Sequence, residues 1–253
     1  MTFLLQTALL TRRRILEMLR QPIWVFMGMS VPLMYLALFA PLLKPLSGGP
    51  GFPGGSVLDV FVPGILALMA FGAGTGAGWV VLAELESGVI ERLRVTPASR
   101  LALVLGTVLR DVVMFAVPAA VVLAVATPFG FRPHWAGLAL LLGLLALLTA
   151  ACSASSAALG ITLKQIGSLA AVVTGLQLPL TLLAGVLLPL SLGPGWLQGL
   201  AHANPMYYAV EAARALASGT LASATVAEGF GVMAGVAIVA VWWCTRTYRR
   251  AMA

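Results

Sequence analysis

Six charged side chains, Glu84, Glu86, Glu91, Arg92, Arg94 and Arg100, crowd into ELESGVIERLRVTPASR at residues 84–100. The whole chain has 253 residues, and only 9% of them are charged. The spacing predicts a short helix over about Ser87–Val95, because Pro97 disfavours helical geometry at Thr96 and helps to end it. Ile90, Leu93 and Arg94 then share a face, so the segment shows apolar and charged surface together. Such a knob suits docking into a groove on a soluble partner. A loop that only held positive charge on one side of a membrane would need Lys and Arg but no glutamates.

Elsewhere the chain offers few reactive groups. A phosphate-cradling loop needs Gly directly before its Lys, yet Lys44 and Lys164, the two lysines of the chain, each follow Leu. Nucleotide binding by that route is excluded, and no cofactor is expected on this chain. Cys152 and Cys244 lie within apolar runs and read as small core residues. His134 and His202 stand far apart without ligand-spaced partners, so no metal site is expected. Asp59, Glu228 and Asp111 (beside Arg110) fall near the expected ends of apolar runs, which leaves no deep acidic relay for protons or sodium. The deep polar groups are mild: Thr149, Ser153, Ser155, Ser156, Thr174, Gln177 and Thr181 read first as hydrogen-bonding glue between helices. Gln177, two residues before Pro179, is the best single candidate to line a passage, with Thr174 and Thr181 near it.

The elements that must position these residues are membrane helices. Hydrophobic residues make up 60% of the chain and its mean hydropathy is +1.02. A soluble core is ruled out, because repeated apolar stretches of about 20 residues match the length that crosses a bilayer. The net charge of +7 reads as cytoplasmic Lys and Arg rather than a nucleic-acid surface, since no basic run is interleaved with aromatics.

Residues 1–21 form an amphipathic pattern expected to lie in the interface. Leu4, Leu5, Ala8, Leu9, Ile15, Leu16 and Leu19 fall on one face, opposite Gln6, Arg13, Arg14, Glu17 and Arg20, while Arg12 breaks the pattern. Six spans follow, at about Pro22–Leu43, Val57–Ala83, Leu101–Pro128, Ala136–Leu163, Ile166–Leu190 and Val226–Cys244. The second contains GAGTGAG, in which Gly72 with Gly76, and Gly74 with Gly78, are spaced to let another helix approach closely. With both termini in the cytoplasm, only Lys44, Arg132 and Arg214 of the 15 basic residues fall on the far side. That bias puts residues 84–100 in the cytoplasm. Residues 191–222 are too polar to span and too apolar for a free loop. They read as two short helices in the outer leaflet, the second capped by Asn204 with Pro205 at its first position and Glu211 paired to Arg214 on its exposed side.

Four stretches carry a resemblance: FVPGILAL, ELESGVIERLRVTPASR, VLRDVV, and LPLSLGPGWLQGLAHANPMYYAVEAARAL before the last span. In their order and spacing they resemble the membrane subunits of type-2 ATP-binding-cassette exporters, particularly the daunorubicin/doxorubicin-resistance permease group. The resemblance implies one transmembrane permease domain over residues 1–253, with no catalysis of its own. A second permease subunit, identical or homologous, and two separate ATPase subunits holding ATP and magnesium would complete the exporter. Residues 84–100 would be the coupling helix, with Glu84, Glu86, Gly88, Glu91, Arg92, Leu93, Arg94, Thr96 and Pro97 meeting the ATPase. The N-terminal helix, through Arg12, Arg13, Arg14 and Glu17, would be a second contact. Pro63 and Gly64 of FVPGILAL join Gly72 and Gly76 as expected helix-packing positions. Cargo would pass between the two permeases, near spans two and five, in a bacterial cell membrane. The group exports drugs, natural products, glycans and lipid-linked sugars. A channel or ion-coupled carrier, and a membrane-embedded enzyme, are the alternatives from other classes.

Overall fold

The computed structural model describes residues 3–19, 22–43, 57–90, 99–131, 134–187, 190 and 193–251, and all regular structure among them is helical. In chain order the helices are α1 (Phe3–Leu19), α2 (Pro22–Leu43), α3 (Val57–Thr75), α4 (Ala77–Glu86), α5 (Arg100–Ala126), α6 (Trp135–Leu163), α7 (Ile166–Leu183), α8 (Gly195–Ala201), α9 (Pro205–Ala217) and α10 (Ala224–Ala251). Among the described residues, five stretches are long and apolar enough to cross a membrane: Leu58–Glu86, Arg100–Phe129, Trp135–Leu163, Ile166–Leu183 and Ala224–Ala251. The expected first span coincides with α2, a continuous helix of 22 residues whose described apolar stretch is Gly28–Phe39.

At the centre stands α6, which packs against α3, α4, α5, α9 and α10. Around it the buried side chains form two main groups. One holds Phe61, Ile65, Phe115, Leu141, Leu145 and Leu216 at the end that carries α9. The other holds Val81, Leu103, Ala154, Ala158, Cys244 and Tyr248 at the end that carries α1.

The expected second span is one stretch in two helices, interrupted at Gly76. The break frees backbone groups from the i→i−4 ladder, and buried groups of that kind need other partners. Ser156 of α6 serves two of them: its hydroxyl donates to the Thr75 carbonyl at 2.5 Å and accepts from the Gly78 N–H at 3.1 Å. The close packing within the chain therefore falls on Gly74 and Gly78, not on Gly72 and Gly76. A Cβ on Gly74 would stand 2.6 Å from the Thr149 carbonyl, and one on Gly78 2.6 Å from that of Ser156, whereas among the described residues nothing lies within 4 Å of the Gly72 position. Among the described residues, Gly76 has only the Ala73 carbonyl of α3 nearby, at 3.5 Å. Pro63 is buried, and Gly64 abuts the Val186 carbonyl.

Two spans end elsewhere than expected. Helix α7 stops at Leu183 rather than Leu190, because Gly185 turns into the left-handed region (φ 66°). Helix α10 runs past Cys244 to Ala251, with Arg249 and Arg250 in its last turn, where cations offset the negative end of the helix dipole.

Candidate functional site

At the α1 end, three faces of α1 do three different things. Leu5, Leu9 and Leu16 are exposed, Arg12 and Arg13 are exposed, and Thr7 and Arg14 are buried. Helix periodicity puts Thr7, Leu10 and Arg14 on one stripe, and that stripe meets the protein. Gly106 of α5 lets Leu10 approach, so that a Cβ there would stand 3.1 Å from the Leu10 Cβ.

Arg14 sits at the centre of this contact. Its Nη2 lies 3.0 Å from Oε1 and 3.1 Å from Oε2 of Glu84, near the end of α4. On the same helix, Gln6 Oε1 accepts from the Ser99 N–H at 3.3 Å. Ser99 in turn caps α5, its hydroxyl accepting from the Ala102 N–H at 3.1 Å. Helix α1 thus grips both ends of the 84–100 stretch, its start through Glu84 and its return through Ser99.

A second polar layer lies deeper. Asp111, expected near the start of its span, is buried well inside α5. It pairs with the neighbouring Arg110 guanidinium, whose Nε donates to Oδ1 at 2.9 Å, and its Oδ2 accepts from the Ser153 hydroxyl of α6 at 2.6 Å. The charge is compensated on both oxygens, as a buried carboxylate must be. Tyr248, near the end of α10, is buried beside this layer, within range of the charges of Arg14, Glu84 and Arg110.

The expected partner-contacting residues fall in different places. Glu86 is exposed, and Gly88 makes the left-handed turn after α4 (φ 67°). Glu84 and Arg14 face each other inside the protein, so they form an internal strut rather than an exposed contact surface. Glu91, Arg92, Leu93, Arg94, Thr96 and Pro97 lie outside the described residues, as does the side chain of Glu17. On α7, Thr174 is exposed while Gln177 and Thr181 are half-buried. The Thr181 hydroxyl donates to the Gln177 carbonyl of its own helix at 2.8 Å. Among the described residues, no three His, Cys, Asp or Glu side chains gather as metal ligands would.

At the opposite end, Asn204 caps α9 by accepting from the Met206 N–H at 3.0 Å. Arg214 does pair with Glu211, at 2.8 Å, but not on an exposed side. It is buried, at 9% exposure, and donates also to backbone carbonyls of other segments. Burial pulls its pKa below the ordinary guanidinium value, and the adjacent Glu211 acts in the opposite direction.

Sequence reasoning missed the contact of Gln6 with Ser99, the burial of Tyr248, and the reach of Ser153 to Asp111. Single polar residues in apolar helices carry no signal of which partner they meet. The Arg14 burial had a partial signal in its i+7 relation to Thr7.

Residues 5–217 of the chain match the family model described as ABC-2 type transporter. The chain is 26% identical over 223 residues to the daunorubicin resistance ABC transporter permease protein DrrB1 of Streptomyces coeruleorubidus, covering 87% of this chain and 77% of that one. It is 28% identical over 218 residues to a protein named as a transport permease, ycf38, of Cyanophora paradoxa, covering 85% of this chain and 75% of the relative. The ycf38 of Pyropia yezoensis is 28% identical over 216 residues, covering 83% and 73%.

Proposed function

Because the chain belongs to the ABC-2 type transporter family, and is thus a membrane permease component of an ABC transporter, we propose that it forms one half of an export pathway driven by separate ATPase subunits. Two such permeases, identical or homologous, enclose the path. Two ATPases bind ATP and magnesium, and this chain binds no cofactor. The α1 end faces the cytoplasm of a bacterial cell, with both termini inside. Helix α2 is the first of six spans, its 22 residues reaching roughly 33 Å at the α-helical rise. The short helices α8 and α9 belong to the outer leaflet.

The single observation that carries this reading is the largely buried Arg14–Glu84 pair. It makes α1 and the end of α4 one mechanical unit at the start of residues 84–100. A push by an ATPase on Glu86, Glu91, Arg92 or Arg94 would then move α4 with its α6 contact at Gly78, rather than bend a loose loop. That is how a surface contact reaches a packed, two-state interior. Thr174 and Gln177 stand on α7, the least enclosed of the five spans, and line the path towards the second permease. The likeness to a daunorubicin resistance permease supports a hydrophobic drug or natural product as cargo.

The test has two arms. Affinity capture of the tagged chain from its own cells should bring down an ABC ATPase, and replacing Glu91 and Arg92 with Ala should reduce its recovery. Proteoliposomes holding both proteins should then accumulate daunorubicin only when ATP is supplied. Cargo flux by the purified chain alone, down a gradient, would establish an ion-coupled carrier or channel instead.

A further inference from the structure

Arg214 spends its donors on three separate segments. Nη1 pairs with Glu211 on α9 at 2.8 Å, Nη2 reaches the Gly185 carbonyl at 2.6 Å and that of Val186 at 3.4 Å, and Nε reaches the Val60 carbonyl at 3.3 Å. Gly185 and Val186 follow directly on α7, and Val60 lies in the first turn of α3. A parallel tie comes from Asn204, whose Nδ2 donates to the Leu180 carbonyl of α7 at 2.7 Å. Gly64 completes the contact, because any Cβ there would collide with the Val186 carbonyl.

These bonds add to a short apolar contact at this end of α7, where Leu180 is partly buried against the core and Ala184 and Val186, just past the helix, are buried. The buried apolar side chains within α7, Leu169 and Val173, lie towards the α1 end, whereas Leu176, Leu178 and Leu182 are exposed. We infer that Arg214 is a positioning residue: a latch that holds the α9 end of α7 against α3 and so keeps the outer mouth of the permease shut. For that end of α7 to swing away, the Arg214 bonds to Gly185 and Val186 and the Asn204 bond to Leu180 must all break. A buried guanidinium stripped of those carbonyls would keep only Glu211 and Val60, and a buried charge short of partners is strongly disfavoured. Losing those carbonyls therefore opposes the movement, and Arg214 favours the closed mouth over an open one. Calling the opening an exit for cargo rests on the permease reading, but the latch is a property of this chain alone.

The experiment uses the full-length chain in lipid nanodiscs, without ATPase or cargo. Spin labels are placed on Leu182→Cys of α7 and Ser218→Cys at the end of α9, in a background with Cys152 and Cys244 replaced by Ala. Pulsed electron resonance reads the distance between them. The parent should give one short, narrow distribution. Arg214→Ala should raise a longer, separated population at least about tenfold, the factor that one lost charged hydrogen bond implies. Arg214→Lys, a point donor that keeps the charge, should restore part of the short population. If Arg214→Ala yields no folded protein, Arg214→Lys and Glu211→Gln carry the test, each with a smaller shift in the same direction. An unchanged distribution in folded Arg214→Ala, or in both milder variants, overturns the latch. That result would leave the permease reading standing, and absent ATP-driven export would leave the latch standing.

Discussion

Arg14 and Glu84, seventy positions apart, form a pair whose side chains are only 7% and 18% exposed. It joins α1 directly to the end of α4. Exposed ion pairs contribute little, but breaking a buried one leaves a charge without its partner.

Arg14→Ala should therefore destabilise the chain by about 1–3 kcal/mol, between the exposed and fully buried limits. The full cycle of Arg14→Ala, Glu84→Ala and the double variant should return a coupling of about 1–2 kcal/mol in detergent unfolding. Strictly additive single effects would mean that the bridge holds nothing together.

The two glycine ladders of α3 and α4 should respond in opposite ways. Gly78→Ala pushes a methyl to 2.6 Å from the Ser156 carbonyl and should cost about 1–3 kcal/mol through overpacking. Gly72→Ala meets nothing within 4 Å among the described residues and should leave the melting temperature unchanged or higher, since Ala favours helix over Gly by up to about 1 kcal/mol. Equal losses at both sites would show that a different face of this stretch is packed.

Ser153→Ala strips Asp111 Oδ2 of its 2.6 Å donor, and leaving a buried acceptor unmatched should cost about 1–3 kcal/mol. Ser155→Ala, two residues on and half-buried, should stay within about 0.5 kcal/mol of the parent. Thermal unfolding of the two variants side by side decides it; no difference between them would remove the Asp111–Ser153 bond from the energetics.

Sidedness can be read with a membrane-impermeant maleimide on intact cells and on inverted vesicles. A cysteine at Glu86, exposed at the end of α4, should react only in inverted vesicles. A cysteine at Ser218, at the end of α9, should react only in intact cells. The reverse pattern would put residues 84–100 outside and end their proposed role as the ATPase contact.

Much of the architecture is legible in the sequence itself. Apolar length marked the crossing helices. Asn204 and Pro205 marked the start of α9, because capping depends only on the residues that make it. The charge concentration at residues 84–100 was equally plain. So was the resemblance carried by four short stretches.

Contacts between helices were not legible in this way. Gly72 with Gly76 and Gly74 with Gly78 share one spacing, but the pairs are offset by two residues, about 200° round the helix. Periodicity says that each pair shares a face; it cannot say which face meets α6. The same gap explains Arg14, which looked like one of three arginines on a polar surface, and Arg214, which looked like the outer half of an exposed ion pair. Each takes its role from partners far off in the chain, Glu84 for the first and Val60 and Gly185 for the second. Hydropathy and capping are local sums over neighbours in sequence. Rotation about a helix axis is decided only when the other helices are in place.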